Sequence, residues 1–417
     1  MTNKRRDLRI IVSTNSTHSG SGYAVFQRDL LYRLAKENFE VAVSAFYGVD
    51  SYPVYLYGED LIDDRFKGVK IKHYPKMVEP FGGDALVAHA VDFKAHVALS
   101  HQDVPTLQPQ FLQQMRVWIP YTPIDMEPVP PMVLHNLQYA YKILTQAKFG
   151  HETLKKHGFY STCIVEGTDV ELFKPQDMLE ARRKMGIAEN IFLWGMIGAN
   201  KENPPRKGYQ QAIEAFALFH KKHPESRIFF HTQQISPGAF PIQQYLHHLG
   251  VSKAAIFLNP YKQTFNAGTK DIALELNALD ALLHPSHTEG FGLLSIEAQA
   301  CGKPVLLARS TSMPETVVEG KTGELAEISH KFWSNQNAYQ FVPSVDSIVE
   351  KMELIYNKLK GKNTYQQDCR EHIVTNFNID TQFKEQWLPF FEALQDEIVP
   401  VPELTKATKP TNINPAP

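Results

Sequence analysis

Residues 280–309 read DALLHPSHTEGFGLLSIEAQACGKPVLLAR. DALLHP (280–285) is a short apolar run that ends in a turn, which predicts a buried strand. SHTEGFG (286–292) is a turn with two glycines. LLSIEAQAC (293–301) reads as a short helix stopped by Gly302, and KPVLLAR (303–309) as the next strand. Strand, turn, helix and strand in that order form a βαβ unit, the building block of parallel sheets covered by helices. Ligands of such sheets bind at the carboxyl ends of strands, where Glu289 falls. Glu297 lies on the first turns of the helix and can face the same crevice. Gly290 and Gly292 let the amides of Phe291 to Leu293 approach an oxygen-rich ligand. Each carboxylate accepts two or more hydrogen bonds, which suits sugar hydroxyls. Taken singly, Glu289 reads as an N-terminal capping acid and Glu297 as a helix-surface residue. Neither reading explains the pair across a glycine turn.

The same alternation extends outward. LRIIVST (8–14), a turn NSTHSGSG, a helix over 23–38 and FEVAVSAF (39–46) form a βαβ unit at the N-terminus. ALVAHAV (85–91), RVWIPY (116–121), KILTQ (142–146) and STCIVEG (161–167) continue as strands. A second series starts at NIFLWGMIGA (190–199) and runs through the helix GYQQAIEAFALFHKKH (208–223), SRIFFHT (226–232) and AAIFLN (254–259). Two such series predict an α/β protein of two Rossmann-like, doubly wound domains, 1–178 and 179–400. The Pro/Thr/Asn-rich residues 401–417 read as a disordered tail.

Composition narrows the function classes. The 417 residues carry a formal net charge of −2, so no strong basic field points to nucleic acid or an anionic membrane. The three cysteines are far apart and form no C-x-x-C pair, which suggests neither a zinc site nor a disulfide framework and fits a reducing compartment. No stretch approaches the roughly 20 apolar residues of a spanning helix, and the N-terminal apolar run is too short for a signal peptide. The expectation is a cytoplasmic protein with no metal site.

Three further places bear on ligands. Gly20 and Gly22 sit between the first strand and its helix, where a close ligand contact and a plain tight turn are equally good readings. The third glycine of the dinucleotide fingerprint is absent and no acidic residue follows the second strand, which disfavours a nicotinamide cofactor. Arg206 and Lys207 precede a helix, where cations oppose its dipole; a phosphate partner offsets that repulsion. His89 and Asp125 are candidate polar residues at strand ends on the N-terminal side. A histidine in an apolar strand is more often a satisfied core residue.

EGFGLLSIEAQACGKPV (289–305) closely resembles the retaining GT-B glycosyltransferases of family four, whose hallmark is two glutamates separated by seven residues. NPPRKGYQQAIEAFALF (203–219) resembles their phosphate-binding segment, MPETVVEGKTGELAE (313–327) the following loop, and SGSGYAVFQRDLLYRLA (19–35) their first glycine loop. The resemblance implies two Rossmann-like domains facing a central cleft, with the acceptor on the N-terminal side and the last helix packing back there. It implies a nucleotide-diphosphate sugar as donor, no cofactor and no metal, and transfer to an acceptor hydroxyl with retention. Glu289 would contact the transferred sugar, Glu297 the ribose, and Arg206 and Lys207 the diphosphate, with the amides of Phe291 to Leu293 completing the cradle. The acceptor is left open among glycans, lipid-linked sugars and small molecules. Two positions depart from the pattern: Ala199 stands where many members have arginine, and Glu166 where many have histidine or asparagine. The alternatives are a sugar-nucleotide 2-epimerase-like isomerase and a non-catalytic nucleotide-sugar-binding module.

Overall fold

The computed structural model describes residues 6–262, 268–361 and 365–398. The tail read as disordered, 401–417, lies outside the described residues. The chain forms two compact units. The first comprises residues 6–124, 129–167 and 379–398, and the second 125–128 and 168–378. The second unit begins at Thr168, ahead of the expected division near residue 178; residues 379–398, with the closing helix, belong with the first unit.

The first unit is built on eight strands: β1 (Arg9–Asn15), β2 (Glu40–Tyr47), β3 (Val54–Tyr57), β4 (Lys70–Tyr74), β5 (Val97–Ser100), β6 (Trp118–Thr122), β7 (Leu144–Thr145) and β8 (Thr162–Cys163). Their order is β3-β4-β2-β1-β5-β6-β7-β8. All neighbours are parallel except β3, which turns back on β4. The order reverses direction between β1 and β5, so the carboxyl ends of these two strands flank a crevice. The helix Gly22–Lys36 follows β1; Ser21 caps it by accepting the Ala24 N–H. The closing helix Leu388–Ile398 is stitched to the residues just before β1 by the Gln395 side-chain oxygen Oε1, which accepts the N–H groups of Asp7 and Leu8 at 2.9 and 3.2 Å. Before it, Trp387 packs edge-on against Tyr121 at 5.0 Å.

One element departs from the sequence reading. Residues 85–91 lie in a helix, Gly83–Asp92, and not in a strand. Ala85, Leu86, His89 and Ala90 are buried, a helical spacing, while Val91 is exposed. Asp84 fixes the helix start by accepting the amide of Ala85 at 2.7 Å. A short apolar run does not distinguish strand from helix by itself.

The second unit holds a six-stranded parallel sheet: β9 (Phe192–Ile197), β10 (Ser226–His231), β11 (Ala255–Phe257), β12 (Ala281–His284), β13 (Val305–Ala308) and β14 (Gly323–Ala326), in the order β11-β10-β9-β12-β13-β14. Its order reverses between β9 and β12, which places the loops after these two strands side by side. Those loops lead into the helices Tyr209–Lys222 and Leu293–Ala300. Trp194, Phe216, Phe219, Phe230 and Leu283 fill the core between sheet and helices. An antiparallel hairpin, β15 (Ile328–Trp333) and β16 (Tyr339–Pro343), follows the sheet.

Candidate active site

The loops after β9 and β12 bring three of the expected residues into contact. Lys207 Nζ lies 2.6 Å from Glu289 Oε1, and Arg206 Nη1 lies 3.6 Å from Glu289 Oε2. Arg206 also donates to the Thr288 carbonyl at 2.6 Å, and its own carbonyl accepts the His287 N–H at 2.7 Å. The basic turn is thereby laced to the turn carrying Glu289.

Gly208, the residue before the Tyr209–Lys222 helix, makes this approach possible. Its φ is +70°, and a Cβ there would stand 2.1 Å from the carbonyl oxygen of Pro285. Only glycine combines that backbone conformation with that closeness. The helix has no side-chain cap, so its first N–H groups and the two cations stand together at its positive end.

The opposite turn is equally fixed. Thr311 and Ser312, just past β13, both donate their hydroxyls to the Glu289 carbonyl, at 3.0 and 2.8 Å. Ser312 also donates to the Phe291 carbonyl at 3.1 Å, and the Glu289 N–H donates back to Thr311 Oγ1 at 3.1 Å. Gly292, at φ +95°, then starts the Leu293–Ala300 helix without a side-chain cap. The Glu289 and Phe291 carbonyls are therefore held, and the helix's first N–H groups are available to an anion or a hydroxyl.

Electrostatics follow from this packing. Burial by itself would raise the Glu289 carboxyl, but Lys207, Arg206 and a hydrogen bond from His284 outweigh it and hold it well below the ordinary range. His284 Nε2 lies 3.2 Å from Glu289 Oε1. Burial lowers the His284 imidazole, against the pull of Glu289. Glu289 is therefore an anion at neutral pH, already engaged by the groups expected to hold phosphate.

The remaining expected residues fall in different places. Glu297 is buried on the Leu293–Ala300 helix, and its charge opposes ionisation of Cys301, which burial already pushes up. Asp125 belongs to the second unit: its Oδ2 lies 4.0 Å from Arg206 Nη1 and accepts from Thr288 Oγ1 at 3.4 Å. Gly20 and Gly22 are exposed in the first unit, and a Cβ at Gly22 would meet nothing within 4 Å. His89 is a core residue on a helix and not a strand-end group. It bonds to Ser44 Oγ at 3.0 Å, stacks on Tyr74 at 4.6 Å, and burial lowers it to about 4.

His284, Thr311 and Ser312 were missed in the sequence. Each sits at or just past the carboxyl end of a strand, so the rule that singled out Glu289 also reaches them. The β15–β16 hairpin gave no such signal. Phe332 approaches the His287 ring at 6.2 Å, and the Tyr339 N–H donates to the Glu127 carbonyl at 3.2 Å, two residues from Asp125. Among the described residues no group of three or more His, Cys, Asp or Glu side chains is placed to hold a metal, and no helix is long and apolar enough to cross a membrane.

Two sheets of mainly parallel strands, with this cluster at the carboxyl ends of the second, make an α/β fold of the GT-B kind. Residues 180–334 match the family described as glycosyl transferases group 1. The whole described architecture is similar to sucrose-phosphate synthase from Thermosynechococcus elongatus, with a TM-score of 0.71 and 16% identity over 93% of this chain and 100% of that one. It is also similar to Anabaena Alr3699/HepE, solved in complex with UDP-glucose, with a TM-score of 0.67 and 16% identity over 93% of this chain and 100% of that one. At such identities the likeness shows the fold. Among curated relatives, D-inositol 3-phosphate glycosyltransferase from Mycobacterium marinum is 30% identical over 186 residues, 44% of this chain and 36% of that protein. Its counterpart from Corynebacterium glutamicum is 33% identical over 172 residues, 39% of each chain. The matched segment thus spans well under half the length of these relatives.

Proposed function

We propose that this protein is a glycosyltransferase that moves a sugar from a nucleotide-diphosphate donor to an acceptor hydroxyl, with retention and without a metal. The observation that carries the proposal is the Arg206–Lys207 pair, set at an uncapped helix N-terminus and closed onto the buried Glu289 carboxylate. In the free protein that carboxylate occupies the place of an anion. A diphosphate would take over the cations, Arg206 as a fork and Lys207 as a point charge, and so favour departure of the nucleotide. Two cations and helix amides supply the positive charge that a divalent ion supplies elsewhere. Glu289, released from Lys207, would turn to the sugar and stabilise the positive charge developing there. Glu297 would hold the ribose. The nucleotide-sugar relatives among the structural neighbours support a donor of this class, and the group 1 match over residues 180–334 covers the segment that would bind it.

Thermal denaturation with UDP, GDP and ADP tests the donor site, with EDTA present throughout. A ligand at about 100 times its Kd stabilises by about 2.7 kcal/mol, a shift of several degrees. Transfer from the matching nucleotide sugar should persist in EDTA, and the coupling constant of the product's anomeric proton reports retention. No stabilisation by any nucleoside diphosphate, or activity lost in EDTA and restored by manganese, would overturn the proposal.

A further inference from the structure

We infer that Thr311 is a positioning residue for the transfer reaction: its hydroxyl, carried on a strained backbone turn, fixes the peptide groups on both sides of Glu289 and so aims the Glu289 carboxylate. Its part in turnover rests on the glycosyltransferase reading; the hold on Glu289 stands on its own geometry.

Thr311 lies just past β13, in a four-residue turn that the Met313 N–H closes on the Ser310 carbonyl at 3.1 Å. Its φ is +47°, and Ser312 follows at φ −80° and ψ −15°. Those are the φ signs of a type II′ turn, whose second position ordinarily takes glycine. The other described non-glycine residues with positive φ are Asn38, Ser51, Lys94 and Asn337, so Thr311 alone among them is β-branched. A branched Cβ is crowded by the backbone in that conformation. Such a residue persists only where its surroundings over-determine it.

The turn that carries Glu289 is what over-determines it. Thr311 Oγ1 accepts the Glu289 N–H at 3.1 Å and donates to the Glu289 carbonyl at 3.0 Å, so one atom holds both peptide groups of one residue. Ser312 donates to the same carbonyl at 2.8 Å, which uses its second lone pair. Glycine would relieve the turn but has no hydroxyl. Asparagine tolerates a positive φ, yet it accepts and donates from different atoms. Serine has the hydroxyl without the methyl that restricts χ1. Threonine therefore supplies a hydroxyl of fixed direction at the cost of backbone strain. From the backbone held in this way the Glu289 side chain reaches Lys207 at 2.6 Å and His284 at 3.2 Å. A displacement on the order of 1 Å at a reacting centre costs up to about a hundredfold in rate, so strain is retained where the carboxylate must be placed closely.

Two variants of the full chain separate strain from hydroxyl. Thr311→Gly removes both, and Thr311→Ala removes the hydroxyl alone. The glycine variant should melt about 2–4 °C above the alanine variant. Both should release nucleoside diphosphate from UDP-glucose, GDP-mannose or ADP-glucose, with water as acceptor, about tenfold more slowly than the wild type or slower still. Thr311→Ser, which keeps the hydroxyl, should recover most of that rate. Affinity for the free nucleoside diphosphate should stay within about threefold in all three, because Arg206 and Lys207 are untouched, so the loss falls on kcat. A merely structural threonine would instead give turnover that follows melting temperature. Amide hydrogen exchange over residues 287–292 needs no substrate: the Glu289 amide should exchange faster in the glycine and alanine variants and stay protected in the serine variant. If the wild type turns over none of the three donors while the exchange pattern holds, the donor reading fails and the hold on Glu289 stands. Wild-type turnover in Thr311→Gly overturns the positioning role, and so does unchanged exchange at Glu289 in that variant.

Discussion

The contact between Lys207 and Glu289 makes opposite predictions for two substitutions. Lys207→Met keeps most of the side chain's packing and removes its charge. Leaving a buried charge wholly without its partner costs about 3–5 kcal/mol. Here Glu289 keeps Arg206 at 3.6 Å and His284 at 3.2 Å, and the Lys207 side chain is 20% exposed. We therefore expect a loss of about 2 kcal/mol in folding stability. Nucleoside-diphosphate affinity should fall about 30-fold, the effect of losing one strong charge-assisted bond. Glu289→Gln keeps the shape but frees Lys207 from a competing anion. It should bind the same nucleotide about threefold more tightly, and turn over far more slowly because the sugar loses its carboxylate. The double variant should cost less stability than the sum of the single ones, since neither charge is then left alone. Acid adds a sign to check. Glu289 is depressed in the folded state, so its contribution is complete above the ordinary value of 4.5 and is lost as pH falls below it. Glu289→Gln should lack that part of the acid transition. Urea titrations from pH 7 to 3 and calorimetry at one fixed ionic strength supply these quantities. Equal loss of nucleotide affinity in both single variants would refute the competition between Glu289 and the diphosphate.

Other outcomes can be checked separately. Glu297→Ala should weaken nucleoside diphosphates by about 1–2 kcal/mol, because a ribose contact is present with or without the sugar, and calorimetry with the free diphosphate reads this directly. Gly208→Ala should destabilise the second unit by several kcal/mol and abolish nucleotide binding, through its φ of +70° and the clash with the Pro285 carbonyl; retention of wild-type melting would contradict the fixed turn. His73 is fully buried, bonds to Thr17 Oγ1 at 2.8 Å, and is lowered by burial from 6.5 to about 4. The unfolded chain therefore takes up a proton first, and this residue should withdraw about 3 kcal/mol of stability at most as pH falls from 6.5 to 4, a slope that His73→Gln should reduce.

Residues 280–309 disclose their structure without help because each signal is local. An apolar run, two glycines, a short amphipathic segment and a second apolar run have one common solution, and the position of Glu289 at a strand end follows from it. Arg206 and Lys207 were legible for the same reason, as cations placed against a helix dipole. Other features depend on which segments meet. The run 85–91 satisfies both a strand and a helix until its buried residues are known, and the helix removes His89 from any strand end. Asp125 stands among the residues of the first series, yet it lies against Arg206 and Thr288 in the second unit, a contact across more than 80 positions that no periodicity records. The closure of Lys207 on Glu289 likewise joins two loops far apart in the chain, and it helps hold the Glu289 carboxyl well below its ordinary range. The hold of Thr311 on Glu289 is visible only after the turns beyond β12 and β13 have been placed side by side. Local pattern determined the elements and the carboxyl-end positions of the site; which side chains share a boundary was decided by tertiary packing, because that is a property of distances between segments and not of order along the chain.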